Sequence, residues 1–455
     1  MNKPAITNKY INIVTKLEQE NTLIYIKNYN VFLTGLPGSG KTHITRQYIK
    51  YCNSNNIKMG VTASTGIASK LLDMNLGKFE SDCSPAHKIQ GNYDRDFTPN
   101  HSMTIHSWSG IDIVEQNDTF ETILNRVIKK PTHVKRWKET SVLIIDEISL
   151  LDCKIFTFLD MIGQHLRGNI LPFGGIRLLV VGDFYQLPPV KGMFCFESDV
   201  WNTIFDININ LKTSYRSSDN NINKILSTIR KGKKLKPNMI LALKRRTNKK
   251  TIKYPIMVPL RDMARNINNN MMLENNNKMF TSMASYSNNV IKNTIMKNTI
   301  IKLSPLEDEL HFKVGCPVIH LINDRNRGLM NGSVGTIVDF VNSKPIVMFK
   351  DGDSFSEHII EKHVWEKVEN NILIRMEQYP LLLAYAITIH RSQGQTLSQA
   401  SIVLDSRVWE RSQSYVALSR LQSLKGLCLL EFDMNIFNKF NKNDRKVKFF
   451  YKRFI

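Results

Sequence analysis

Residues 35–42 read GLPGSGKT and follow directly on the apolar run Val31-Phe32-Leu33. An apolar run of this kind predicts a buried strand, and the stretch from Lys41 to Cys52 predicts a helix after it. Gly35, Gly38 and Gly40 let the backbone bend tightly enough for its N–H groups to converge on phosphate oxygens, with Pro37 and Ser39 completing the loop. Lys41 reaches the β- and γ-phosphates of a bound nucleotide, and the Thr42 hydroxyl is placed to hold Mg²⁺. A bland Gly/Pro turn would need neither the lysine–threonine pair nor the strand before it.

A second block supplies the acids that such a loop needs. LIIDE (143–147) is an apolar strand running into two carboxylates. Asp146 at the strand end suits the Mg²⁺ shell, and Glu147 suits orientation and deprotonation of a water. Acids also favour ordinary helix starts, but three apolar residues leading straight into the pair fit a hydrolytic site better. Ile176–Val181 then runs into GDFYQLPPV (182–190), where Gln186 can sense a γ-phosphate. Together these blocks predict nucleoside triphosphate hydrolysis.

Further blocks carry polar side chains suited to a sugar–phosphate backbone. VTASTGIAS (61–69) offers Thr62, Ser64 and Thr65 as hydrogen-bond donors. TIHSWSGI (104–111) adds His106 and Trp108, a polar donor and a flat surface for a base. A lone tryptophan is more often core, and its place in this series is what favours stacking. AYAITIHRSQGQTL (384–397) feeds a strand into Thr388, His390, Arg391 and Ser392, with Gly394 in the loop beyond. Arg420 closes SYVALSR (414–420), and Arg216 stands in LKTSYRSSD (211–219). An arginine brought across a cleft stabilises the charge that builds on a transferring phosphoryl group.

In their order and spacing these blocks, with LMNGSVGTIVDF (329–340), resemble the Pif-type DNA helicases, which belong with RecD in superfamily 1. The resemblance spans roughly residues 17–432. It implies an α/β fold of two RecA-like phosphate-loop domains with ATP and Mg²⁺ in the cleft between them. Their sheets are expected to be parallel. The short alternating runs Cys316–Asn323, Ser333–Val341 and Pro345–Phe349, punctuated by Gly and Asp-Gly turns, suggest a small β-barrel inserted in the second. The resemblance also implies 5′-to-3′ translocation on single-stranded DNA with unwinding of forked duplex, in replication, repair or recombination. Lys41, Thr42, Asp146, Glu147, Gln186, Arg216 and Arg420 fall on the family's ATPase positions, and Gln19 falls near its adenine-contacting glutamine. Two features depart from the pattern. Ser217 stands where the family often has Gln, and an insertion over roughly 74–102 carries Cys83, His87 and His101. That insertion lacks the paired spacing of a structural zinc site and is expected to be a surface loop. A translocase that remodels DNA without processive unwinding would use the same motifs; an ATP-gated binding scaffold would not need every nucleotide-handling residue intact.

The expected domain plan is a first RecA-like domain over 1–205, with a helical excursion at 109–140. A discontinuous second domain follows over 206–312 and 375–455, with the β-barrel region at 313–374. The chain's 455 residues carry a formal charge of +22, which fits a polyanionic partner. Residues 221–305 hold 18 Lys or Arg against Asp262 and Glu274 alone. The same stretch is crowded with Asn, so an A/T-rich genome accounts for it about as well as DNA binding does; Asn266–Asn298 reads equally as a poorly ordered stretch or a helical arm. The six cysteines are scattered singly, which suggests a reducing intracellular compartment rather than a disulfide framework. No run is long enough for a membrane span, so no membrane partner is expected. The expected state is a monomer, or a loose association on DNA. The Asn/Lys bias and compact build are similar to helicases of large insect DNA viruses, and a nuclear location would follow for such a source or for a eukaryote.

Overall fold

The computed structural model describes residues 9–73, 102–190, 192–217, 219–248, 251–287, 307–324, 327–351, 354–369, 372–438 and 442–454. The first half alternates strand and helix. β1 (Lys9–Ile13), α1 (Lys16–Asn28), β2 (Val31–Gly35), α2 (Lys41–Ser54), β3 (Met59–Ala63) and α3 (Gly66–Asp73) come first. β4 (Met103–Thr104), α4 (Ile105–Ser109), α5 (Phe120–Ile128), α6 (Pro131–Glu139) and β5 (Val142–Asp146) follow. α7 (Cys153–Arg167), β6 (Arg177–Val181), α8 (Trp201–Ile204) and β7 (Ile207–Leu211) complete the series.

The seven strands form one sheet in the order β1-β7-β2-β6-β5-β3-β4, and every pair is parallel. β2, β3, β5 and β7 are buried along their whole length; β2 and β5 accordingly read as apolar runs, whereas β7 alternates, with Asn208 and Asn210 buried between its aliphatic residues. Neighbouring residues of β2 feed opposite faces. Val31 and Leu33 join Ile44, Tyr48 and Ile49 of α2 in one core layer, while Phe32 joins Trp108, Trp137, Phe156 and Trp201 in the other. β7 lies past residue 205 yet pairs with both β1 and β2, so the first sheet extends beyond the expected boundary. The excursion at 109–140 carries α5 and α6, tied back by Trp137 Nε1 donating to the Ser109 carbonyl at 3.0 Å.

The second half begins with α9 (Asn220–Arg230), α10 (Pro237–Lys244), β8 (Ile256–Val258) and α11 (Arg261–Glu274). Antiparallel strands follow: β9 (Met279–Met283), β10 (Ser285–Tyr286), β11 (Glu309–Lys313), β12 (Pro317–His320), β13 (Val334–Val341), β14 (Lys344–Asp351), β15 (Ser354–Ile359), β16 (His363–Glu369), β17 (Ile372–Gln378) and β18 (Leu381–Leu383). They make a five-stranded sheet, β15-β14-β13-β12-β18, with two smaller ones, and reach past 313–374 on both sides. β19 (Ala386–Thr388), β20 (Ala400–Leu404), α12 (Arg411–Ser419), β21 (Leu427–Phe432) and α13 (Lys442–Tyr451) end the chain. A second parallel sheet runs β19-β8-β20-β21.

Two outcomes concern the chain's less distinctive stretches. Asn268 sits on α11 with its amide donating to the Leu383 and Ala386 carbonyls and accepting from the Ala386 N–H, so part of the Asn-rich run is structural; residues 288–298 lie outside the described residues. The last helix does not stay with the second domain. Val447, Phe450, Tyr451 and Phe454 pack into the first domain's core beside Phe32 and Trp201. Among the described residues no helix is long and apolar enough to cross a membrane.

Candidate functional site

The phosphate loop leaves β2, an interior strand of the sheet, and hands its residues to the N-terminus of α2, where unpaired N–H groups favour an anion. Gly38 and Gly40 have φ of 71° and 91°, in the left-handed region that suits glycine. A Cβ at Gly38 would lie 2.1 Å from the Arg216 Cβ, and one at Gly40 would lie 2.1 Å from Gln19 Nε2. At Gly38, glycine is therefore required by approach as well as by angle. Gln19 is buried on α1, whose start is secured by a Thr15–Glu18 capping box, and its amide donates to the Ser39 carbonyl at 3.1 Å. It braces the loop from behind. The chain leaving β7 clamps the front: Tyr215 N–H donates to the Gly38 carbonyl at 2.7 Å, and Ser214 Oγ to the Pro37 carbonyl at 2.9 Å.

A cavity of about 360 Å³ opens in front of this loop, and both domains line it. Gly38, Gly40, Lys41, Thr42, Asp146, Glu147 and Gln186 come from the first; Arg216, Gly394 and Arg420 come from the chain that follows it. Lys41 Nζ donates to the Gly35 and Leu36 carbonyls at 2.8 and 3.0 Å. Burial pulls its pKa down to about 8 despite the nearby Asp183 and Glu147 carboxylates. Burial pushes Asp146 up to about 7, reinforced by the adjacent Glu147 charge and opposed by the Glu147 N–H and Lys41. Glu147 itself has φ 53°, a left-handed conformation rare outside glycine.

The donor set fits a divalent cation bound with phosphate. Asp146 is a buried carboxylate whose charge is poorly compensated, Thr42 lines the same cavity, and the Ser39 hydroxyl in the loop is buried without a hydrogen-bond partner. The two arginines complete the charge pattern. Arg420 is buried, held by the Val416 and Gln395 carbonyls and by Ser419 Oγ, and stands 3.5 Å from Gln186 Oε1. Burial and then the neighbouring Arg216 lower its pKa to about 10. Arg216, also lowered by burial, donates to the Ser419 carbonyl at 3.2 Å. Two guanidiniums sharing one cavity with a phosphate loop form an anion trap.

The expected strand contacts divide into two groups. Ser64 and Thr65 stand half-buried at the end of β3, next to Gly66, where a Cβ would touch Asn323 and the Asn331 carbonyl of the antiparallel region. His106 is half-buried on α4. Thr388, His390 and Arg391 lie half-buried at the end of β19, with the Thr388 hydroxyl accepting from the Arg391 N–H. Three others are turned inward. The Thr62 hydroxyl is buried and donates to the Ile144 carbonyl at 2.6 Å, bridging β3 to β5. Ser392 is buried with its hydroxyl donating to the Ile389 carbonyl. Trp108 is 2% exposed and edge-on to Trp137 at 4.7 Å. The stacking role expected of Trp108 is thus corrected: on the short helix α4 its indole points into the core, and the face left to solvent is that of Ser107. Cys83, His87 and His101 lie outside the described residues.

Several functional residues escaped the sequence reading. Gln393 is buried and donates to Glu147 Oε2 at 3.2 Å, joining the second domain to the hydrolytic carboxylate. Tyr215 lines the nucleotide cavity. Asp183, fully buried, receives Arg230 at 3.0 and 3.2 Å, Tyr415 at 3.1 Å and Tyr451 at 3.4 Å. Tyr451 in turn is hydrogen-bonded to Thr34 at 2.6 Å, one residue before the phosphate loop. Gln393 and Asp183 sit inside the blocks quoted above and were within reach; Arg230 and Tyr451 carry no local signal, because they meet Asp183 across 47 and 268 residues.

Comparison with known proteins agrees with this geometry. The PIF1-like helicase family matches residues 100–245. The chain is 32% identical to the ATP-dependent DNA helicase Pif1 of Bdellovibrio bacteriovorus, over 96% of this chain and 91% of that one. It is 31% identical to the ATP-dependent DNA helicase PIF1 of Danio rerio over 97% of its length, which spans 64% of the fish protein. The crystal structure of Pif1 helicase from Candida albicans superposes with a TM-score of 0.80 at 29% identity, covering 97% and 98% of the two chains.

Proposed function

The chain belongs to the PIF1-like helicase family, and we propose that it is an ATP-driven motor that moves 5′-to-3′ along single-stranded DNA and opens forked duplex. The observation that carries this reading is the composite cavity: phosphate loop and carboxylates from one domain face Arg216, Gly394 and Arg420 from the next. A site divided in this way is complete only when the two halves close, so binding and hydrolysis change the distance between them.

Each residue then has a task. Lys41 leaves the Gly35 and Leu36 carbonyls to grip the β- and γ-phosphates. Thr42 and Asp146 hold Mg²⁺, which neutralises phosphate charge when bound. Glu147 orients the attacking water and takes its proton, with Gln393 fixing the carboxylate. Arg216 and Arg420 stabilise the charge gathering on the transferred phosphoryl group. Gln186, 3.5 Å from Arg420, links the γ-phosphate to the arginine of the facing domain. Ser64 and Thr65 on one side and Thr388, His390 and Arg391 on the other grip the strand in turn.

Phosphate release measured with and without an unstructured oligonucleotide tests the coupling. Turnover should rise steeply with the strand present, and Glu147→Gln should bind ATP yet hydrolyse it at least ~100-fold more slowly, as loss of a general base does. Turnover indifferent to single-stranded DNA would contradict the reading.

A further inference from the structure

Of the five tryptophans, Trp108, Trp137 and Trp201 are buried and Trp365 is half-buried, whereas Trp409 is 52% exposed. It stands between β20 and α12 on a backbone that is held in place. The Val408 N–H donates to the Asp405 carbonyl at 3.0 Å, the Val408 side chain is fully buried, and the Trp409 N–H donates to Gln413 Oε1 at 3.2 Å. The indole stacks on the His390 imidazole, centroids 6.1 Å apart and planes within 18°. Burial, and then the Arg261 charge, keep that imidazole below its usual pKa.

The chemistry beside this platform is cationic. Arg261 on α11 and Arg391 line one cavity of about 670 Å³ together with Thr388 and Asn268. Three carboxylates border the same cavity, and each has another partner. Glu307 pairs with Arg265 at 2.5 Å, Asp308 accepts from the Tyr286 hydroxyl, and Glu309 stands 3.7 Å from His311. Among the described residues neither Arg261 nor Arg391 has a carboxylate partner. A half-exposed ring stacked on His390, with Arg391 next in the chain and Arg261 near enough to act on the imidazole, matches one repeat of a single strand, a flat base followed by a phosphodiester. A duplex presents its bases already stacked and offers no face to the indole.

We propose that Trp409 stacks a base of the bound single strand, with Arg391 and Arg261 taking the adjoining phosphates. The proposal rests on the reading of the chain as a DNA motor and adds the residue that carries the base contact. The test is binding of a fluorescein-labelled oligothymidylate by anisotropy, beside quenching of intrinsic tryptophan emission by the unlabelled oligomer. Trp409→Ala should weaken binding about 5- to 150-fold and leave its dependence on salt unchanged, because no phosphate contact is lost. Trp409→Phe keeps a ring on His390, so it should retain most of the affinity while the quenching disappears. Arg261→Gln should instead flatten the salt dependence by about one phosphate.

Wild-type protein that binds the oligomer with quenching identical in Trp409→Phe, and with full affinity in Trp409→Ala, would overturn the proposal. A Trp409→Ala variant that loses affinity only in step with its melting temperature, while Trp409→Phe quenches like wild type, would also overturn it. Wild-type protein that fails to bind the oligomer at all would overturn the DNA reading beneath it, and anisotropy shows this before any variant is made.

Discussion

Glu147 occupies the left-handed region at φ 53° directly after β5, with its N–H donating to Asp146 Oδ1 at 2.7 Å. A non-glycine residue there costs on the order of 1–3 kcal/mol, and the conformation places both Asp146 and Glu147 on the nucleotide cavity. Lys41 is the matching cation. Lys41→Ala should abolish ATP hydrolysis and leave single-strand affinity intact, since the loops assigned to the strand lie elsewhere; phosphate release and anisotropy on the same preparation check both halves. Trp108 gives the opposite pattern. Its truncation removes a buried indole packed on Trp137, so Trp108→Ala should cost about 3–5 kcal/mol of stability, read by urea unfolding, with strand affinity of the folded fraction unchanged. The residues around the phosphates were legible because glycine, lysine and paired acids have few other reasons to follow apolar runs. Trp108 and Thr62 were misread because a loop motif states which side chains are present and not which way they face. Trp409 lay one strand away from the block that holds its partner His390 and offered no motif of its own.

At the level of elements, β2, β5 and β6 were legible from uninterrupted apolar runs, since both faces of the sheet are covered, whereas β1 and β7 interleave polar residues and gave no such signal. The boundaries were less so. β7 falls past the expected boundary at 205, yet its pairing with β2 makes it part of the first sheet. α13 carries no motif, and its apolar residues Val447, Phe450 and Tyr451, with Phe454 just beyond it, declare themselves only once they meet Phe32 and Trp201. α1 tests the link between element and site. Thr15→Ala removes the capping-box hydroxyl and should cost about 1 kcal/mol, seen as a lower melting temperature, while Gln19 keeps its contact with the phosphate loop. A fall of several kcal/mol would mean that α1 depends on Thr15 for more than its cap.

Across the whole molecule, Asp183 is where three separate stretches meet: α9 through Arg230, α12 through Tyr415 and the C-terminal helix through Tyr451. The Arg230–Asp183 ion pair is nearly inaccessible to solvent. Burial disfavours the Arg230 charge, and the Asp183 carboxylate more than offsets this, holding the guanidinium above its usual pKa. Arg230→Gln would leave Asp183 buried and uncompensated, and should destabilise the protein by about 3–5 kcal/mol in thermal or chemical unfolding. The same junction stands beside a nucleotide cavity shared between the domains, so the architecture ties ATP turnover to relative motion along a strand. Displacement of a labelled strand from forks carrying a single 5′ or a single 3′ tail tests that claim most directly. ATP-dependent displacement is expected from the 5′-tailed fork alone, lost in Lys41→Ala. Displacement from the 3′-tailed fork, or from neither fork while DNA-stimulated hydrolysis proceeds, would contradict it.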